Sequence, residues 1–215
     1  MVSLDELTQY CDGLLEVGAF QDYCPNGLQV EGGSQVRRLI SGVTASQALV
    51  DAALEREADA LLVHHGYFWK GEDPSITGIK RRRLGTLLGA NISLLAYHLP
   101  LDAHSQFGNN AQLARRLGLT AEGRFGTGAG PELGWFGAAP EPFTAAQFGL
   151  HIEHCLGRRP LHIDAGGERI ARVGWCTGAA QSYLEAAARL GLDAFISGEI
   201  SEQTVHAARE YGILY

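Results

Sequence analysis

Two adjacent imidazoles, His64 and His65, stand at the end of a short apolar run, Ala60 to Val63, and are followed by Gly66. The run has the length and composition of a buried strand, so a strand end would deliver the pair. Imidazole is the commonest protein ligand for metals and titrates near neutrality without any perturbation. A second apolar run, Ser93 to Tyr97, leads in the same manner into His98-Leu-Pro-Leu-Asp102. The chemistry these residues point to is cation binding by the histidine pair, with His98 and Asp102 as further ligand-type residues at a second strand end. The competing reading makes the pair one core histidine and one exposed histidine, each bonded to backbone.

Convergence sets a condition on the chain. Neighbours in a strand face opposite ways, so His64 and His65 share a site only if the strand has ended and the backbone turns there. Gly66 permits such a turn. Pro100 should keep Leu99 extended and carry Asp102 across the sheet end towards the histidines. In open α/β sheets, sites lie outside the carboxyl ends of the strands.

The elements that would position these residues are readable along the chain. Ser3 and Glu6 have capping-box spacing ahead of an amphipathic helix through Leu15. Pro25-Asn26-Gly27 marks a turn, and Leu28 begins an extended segment. Val36 to Val43 becomes a strand, Thr44 to Ser46 caps a helix to about Glu57, and that helix feeds the His64 strand. This is a βαβ unit with parallel strands. Asn109 and Asn110 are expected to cap a helix closing on Gly118. The Gly- and Pro-rich stretch 122–142 reads as a link between lobes, followed by a helix at 144–156 and strands at 161–164 and 171–176. The fold class expected is α/β, with lobes at 1–124 and 125–215.

Two further motifs carry weaker chemistry. Lys80 to Arg83, opening a helix, could hold phosphate or nucleic acid, but a run of this size is commonly a solvated helix face. Gly126-Thr-Gly-Ala-Gly130 superficially suggests a phosphate loop; no strand precedes it and Pro131 follows, which argues against that reading.

Composition narrows the classes. The 215 residues are 46% hydrophobic and 19% charged, and the 28 glycines suit many tight strand-to-helix turns. A formal charge of −7 argues against a general nucleic-acid coat. Cys11, Cys24, Cys155 and Cys176 form no Cys-x-x-Cys pair and read as reduced thiols. No basic leader opens the chain and no apolar run approaches the roughly 20 residues that span a bilayer. A cytoplasmic protein is expected.

The chain also echoes itself. An ungapped shift of 134 places Ala45, Gln47, Ala52, Ala53, Asp59 and Ala60 on Ala179, Gln181, Ala186, Ala187, Asp193 and Ala194. Two similar lobes related by an internal repeat are expected, the second ending its βαβ unit at Phe195-Ile-Ser-Gly-Glu199. Because Ile213 to Tyr215 only begins a strand, a truncated C-terminus is expected as well.

These residues support a family resemblance. His64-His65-Gly-Tyr-Phe-Trp-Lys-Gly, His98-Leu-Pro-Leu-Asp102-Ala with Gly108-Asn-Asn-Ala-Gln-Leu, Phe195-Ile-Ser-Gly-Glu-Ile-Ser-Glu and Pro25-Asn-Gly-Leu-Gln-Val30 together resemble the NIF-three-like dinuclear metal-centre proteins, also known as GTP cyclohydrolase 1 type 2 homologues. The resemblance runs from about residue 4 to Tyr215. It implies two similar α/β lobes, a homohexameric ring, and two divalent ions held in part by His64, His65 and Asp102, with His98 as a neighbouring group. The family's closing Gly-His-His-x-x-Glu segment has no counterpart here, so impaired metal binding is expected of this chain. Its Leu99 also departs from the commoner Thr after the histidine.

Three functions follow. The first is a dinuclear metal-dependent hydrolase, in which two ions about 3.5–4 Å apart activate a water, with a nucleotide as substrate and Lys80 to Arg83 as triphosphate contact. The second is a metal-stabilised hexameric regulator or scaffold without turnover. The third, a nucleic-acid clamp, would show steep salt dependence. Zn, Fe, Mn or Ni all suit a mixed imidazole and carboxylate site.

Overall fold

A computed structural model describes residues 1–126, 132–165 and 169–215, which divide into two compact units, Met1–Leu101 and Asp102–Tyr215. In the first, β1 (Val2–Ser3) leads into α1 (Leu4–Leu14) through the expected capping box: Glu6 N donates to Ser3 Oγ (3.2 Å) and Ser3 N to the Glu6 carboxylate (2.9 Å). There follow β2 (Gly27–Val30), β3 (Gln35–Val36), β4 (Leu39–Thr44), α2 (Gln47–Glu55), β5 (Ala60–His65), α3 (Gly78–Gly89) and β6 (Ser93–Ala96). The main sheet has the order β2-β6-β5-β4, with β4, β5 and β6 mutually parallel and β2 antiparallel at the edge. Alternation sorts its side chains. Leu61, Val63, Leu94 and Ala96 face a core with Val50, Ala53, Leu84 and Leu87 of α2 and α3. Ala60, Leu95 and Tyr97 face a second core with Leu4 and Leu15.

The short helix α4 (Leu99–Ala103) carries the chain across the boundary. The second unit continues with α5 (Asn109–Leu117), β7 (Thr120–Phe125), β8 (Gly134–Phe143), α6 (Ala145–Leu156), β9 (Ile170–Cys176), α7 (Leu184–Arg189), β10 (Ala194–Ser197) and α8 (Glu202–Tyr211). Its sheet has the order β10-β9-β8-β7, and only β9 and β10 are parallel. Residues 102–124, placed with the first lobe by the sequence, thus supply α5 and β7 to the second unit.

Four local expectations are corrected. The described residues of the stretch 122–142 belong mainly to the antiparallel strands β7 and β8, not to a link; a Cβ on Gly123 would stand 2.6 Å from the Phe136 ring, so the glycine there allows close approach. Residues 161–164 form no strand, although Ile163 and Tyr215 exchange both backbone hydrogen bonds (2.8 and 3.1 Å). Leu99 is helical, because Pro100 falls in the first turn of α4, where a missing N–H costs nothing. Gly108, not an asparagine, is the N-cap of α5. The Gly126–Gly130 motif lies, from Thr127 onward, outside the described residues.

One device recurs at positions 134 apart. Asp59 Oδ2 accepts from Arg37 N (2.7 Å) and Arg38 N (2.8 Å), clamping the start of β4 to β5. Asp193 Oδ2 accepts in the same way from Ala171 N (2.9 Å) and Arg172 N (2.8 Å). The ladders share this offset, Leu39 pairing with Ala60 and Val173 with Ala194. The Arg38 and Arg37 amides hold the Asp59 carboxyl below its ordinary value of 3.8. Its stabilising effect is therefore complete above that pH and lost as pH falls below it. We expect Asp59→Ala to cost about 1–2 kcal/mol in urea denaturation at pH 7, with the difference from wild type shrinking under acid.

Candidate metal centre

The parallel strands of the first unit end on one side, and their ends supply the site. Both histidines of the pair belong to β5, contrary to the expectation that the strand stops before them. They converge because the ladder frays around them: β6 ends at Ala96, opposite Val63, while Thr44 of β4 still pairs with His65. The two ring centroids are 4.5 Å apart. Gly66 is needed for space, its backbone φ not being left-handed: a Cβ there would run into the Gln29 side chain and would stand 2.7 Å from Ala96 Cβ. Gln29 Oε1 instead accepts from Tyr67 N (2.7 Å), and Tyr67 Oη donates to Ala45 O (2.8 Å).

His98, which the sequence marked only as a neighbour, joins the pair. Its ring lies 5.1 Å from that of His64 and 5.7 Å from that of His65, and one nitrogen from each of the three lies within 4.8 Å of the other two. Hydrogen bonds hold the three rings in place. His64 Nδ1 is 2.9 Å from Tyr97 O; a carbonyl only accepts, so Nδ1 carries the proton and Nε2 offers its lone pair. His98 Nδ1 donates to Asp22 Oδ1 (2.8 Å), which again leaves Nε2 towards the other rings. His65 Nδ1 is 3.3 Å from Thr44 Oγ1. A ligating histidine typically has its second nitrogen held in this manner.

Asp22 is the hub behind the cluster. Its side chain is 2% exposed and accepts four hydrogen bonds, from His98 Nδ1, Tyr23 N (2.6 Å), Asn26 Nδ2 (2.9 Å) and Leu99 N (2.9 Å). Asn26 Oδ1 in turn accepts from His98 N (2.7 Å), so the 22–27 turn grips both sides of residue 98. Burial raises the Asp22 carboxyl, but the His98, Asn26, Leu99 and Tyr23 donors outweigh it and hold it down to about 2. Burial lowers the His98 imidazole, and the bonds to Asp22 and Cys24 overcome that and push it up to about 9. Cys24 is buried beside it, with donor atoms of Asp22, Cys24 and His98 within 4.8 Å of one another.

Asp102 opens the second unit on α4 and is buried. Its Oδ1 accepts from Asn109 Nδ2 (2.7 Å) and Thr177 Oγ1 (3.4 Å). The Asn pair read as a helix cap serves this neighbourhood: Asn110, fully buried, donates to Leu133 O (3.1 Å) and accepts from Thr177 N (2.8 Å). The basic run has a structural use at its first member. Lys80 Nζ donates to Asp73 O (2.8 Å), pairs with Glu72 (3.4 Å) and lies over the Phe68 ring (5.7 Å). Arg81 and Arg82 are exposed.

Three imidazoles with Nδ1 of His64 and His98 tied back fit a divalent cation, since three histidines and a water are an established zinc-binding set. Fold and site together define an α/β protein whose parallel strands end in a cluster of imidazoles. The Duf34/NIF3 (NGG1p interacting factor 3) model matches residues 2–215, and the chain belongs to that family. It is similar to the GTP cyclohydrolase 1 type 2 homolog of Pseudomonas aeruginosa, at 56% identity over 214 residues, covering 100% of this chain and 84% of the relative. The relative of that description from Escherichia coli K12 is 53% identical over 209 residues, 97% of this chain and 83% of its own. Among solved structures, protein ybgI, described as of unknown function, superposes with TM-score 0.95 at 51% identity, covering 99% of this chain and 85% of that one. TTHA1606 from Thermus thermophilus gives 0.86 at 36%, covering 99% and 84%. Among the described residues no helix is long and apolar enough to cross a membrane.

Proposed function

We propose that the chain is a divalent-metal protein and that its chemistry is hydrolysis of a nucleotide. The observation that carries the metal reading is the convergence of His64, His65 and His98, with the outer nitrogens of His64 and His98 held by Tyr97 O and Asp22. His64 and His65 would hold the ion with His98 beside them; Asp102 is the proposed carboxylate ligand on its motif position alone. When bound, a divalent ion there lowers the pKa of a water and polarises a substrate oxygen. The chain's own part is to turn the Nε2 of His64 towards the site and to lock the His98 ring through a carboxylate that stays ionised. Support for a nucleotide substrate comes from the name that the curated relatives share, GTP cyclohydrolase 1 type 2 homolog.

Elemental analysis of purified protein, followed by product assays on GTP and a panel of nucleotides and phosphoesters, tests both halves. Metal that copurifies with wild type and is lost in His64→Ala, with product formed only by the loaded protein, is the expected result. Metal without turnover would leave a metal-stabilised scaffold and remove the hydrolase. Absence of metal at saturating Zn, Fe, Mn and Ni would remove both.

A further inference from the structure

We propose that Trp69 is the stacking wall of the histidine site and that the ligand it receives carries a planar heteroaromatic ring. The inference deepens the reading above and rests on it. The chain's three tryptophans are placed very differently. Trp135 and Trp175 lie in the core of the second unit, 7% and 0% exposed. Trp69 is only half-buried and belongs to neither hydrophobic cluster of the first unit. It lies instead against the imidazoles, its ring 5.1 Å from that of His98 at an edge-to-face angle of 85° and 5.9 Å from that of His65. A residue of that size gains most by burial in a core, so its place beside the two polar rings of His65 and His98 asks for another use.

The loop is built to hold the indole there. Glu72 N donates to Trp69 O (3.0 Å) and Trp69 N to the Glu72 carboxylate (3.2 Å), closing a turn on the residue itself. Lys80, its side chain 12% exposed, grips that carboxylate, and Lys70 N donates to Tyr23 O (2.6 Å) beside the Asp22 hub. Phe68, directly before the indole, is held at φ 65°, a left-handed conformation costly for an aromatic residue. Strain, a closed turn and a partly buried ammonium all spent on one ring position match the preorganised wall of a binding site. An indole offers no lone pair to a cation, so its contribution is its π face, which stacks on planar rings of any sequence or substituent.

Trp69 also supplies the probe. Wild type, Trp69→Phe and Trp69→Ala are titrated with GTP, guanosine and inorganic tripolyphosphate, following tryptophan emission and calorimetric heat, with metal content measured in each sample. GTP and guanosine should quench emission in wild type, and the quench should vanish in both variants. Trp69→Ala should weaken GTP about 5- to 150-fold, Trp69→Phe by less than Trp69→Ala, and tripolyphosphate should bind all three alike. Equal GTP affinity in wild type and Trp69→Ala, an equal loss for tripolyphosphate, or no binding of GTP or guanosine to metal-loaded wild type would each overturn the proposal. Protein that takes up no metal would instead count against the metal reading, and Trp69→Phe controls for folding.

Discussion

Replacing His64 or His65 with alanine is expected to remove bound divalent metal almost completely, lowering affinity by more than about 100-fold. Loss of a group that merely orients a ligand costs about 10- to 100-fold, and these two rings are proposed to donate directly. Elemental analysis and competition with a chelator measure it. Each substitution should leave thermal stability of the metal-free protein little changed, because both rings are only half-buried and lie at the end of the strand, outside its hydrophobic clusters. Wild-type metal content in both variants would show that the rings serve their contacts with Tyr97 O and Thr44 Oγ1 and not a metal.

The second large effect belongs to a residue with no proposed contact to metal. Asp22→Ala strands four donors, among them an imidazole whose charge Asp22 sustains. Removing one partner from a buried pair costs about 3–5 kcal/mol, measurable by urea denaturation of the metal-free protein. Asp22→Asn keeps the shape and should cost less stability, while still weakening metal binding about 10- to 100-fold by releasing the orientation of His98. Unchanged denaturation in Asp22→Ala would mean that water replaces the carboxylate without loss.

What the sequence reveals and what it hides divide along chain distance. The Ser3 and Glu6 box, the β4-α2-β5 unit and the paired histidines are patterns within a few residues, and each can be read locally. Asp22 acts on His98 across 76 positions, and nothing in Gln21-Asp22-Tyr23 announces that partner. Cys24 reads as an ordinary thiol for the same reason. Asn109 and Asn110 have the right type and place for caps, yet their amides are taken up by Asp102, Leu133 and Thr177, contacts that only packing creates. Glycines in β7 and β8 read as loop because the ring of Phe136 that displaces a side chain at Gly123 comes from the facing strand.

Position 66 has a lasting consequence. With no room for a side chain there, and with Tyr67 fastened at both its amide and its hydroxyl, the peptide between the imidazole pair and the indole works as a spacer of fixed length. A residue inserted into it or deleted from it would have to break an anchor or swing the indole away from the histidine cluster, so this short segment should tolerate changes of type far better than changes of count.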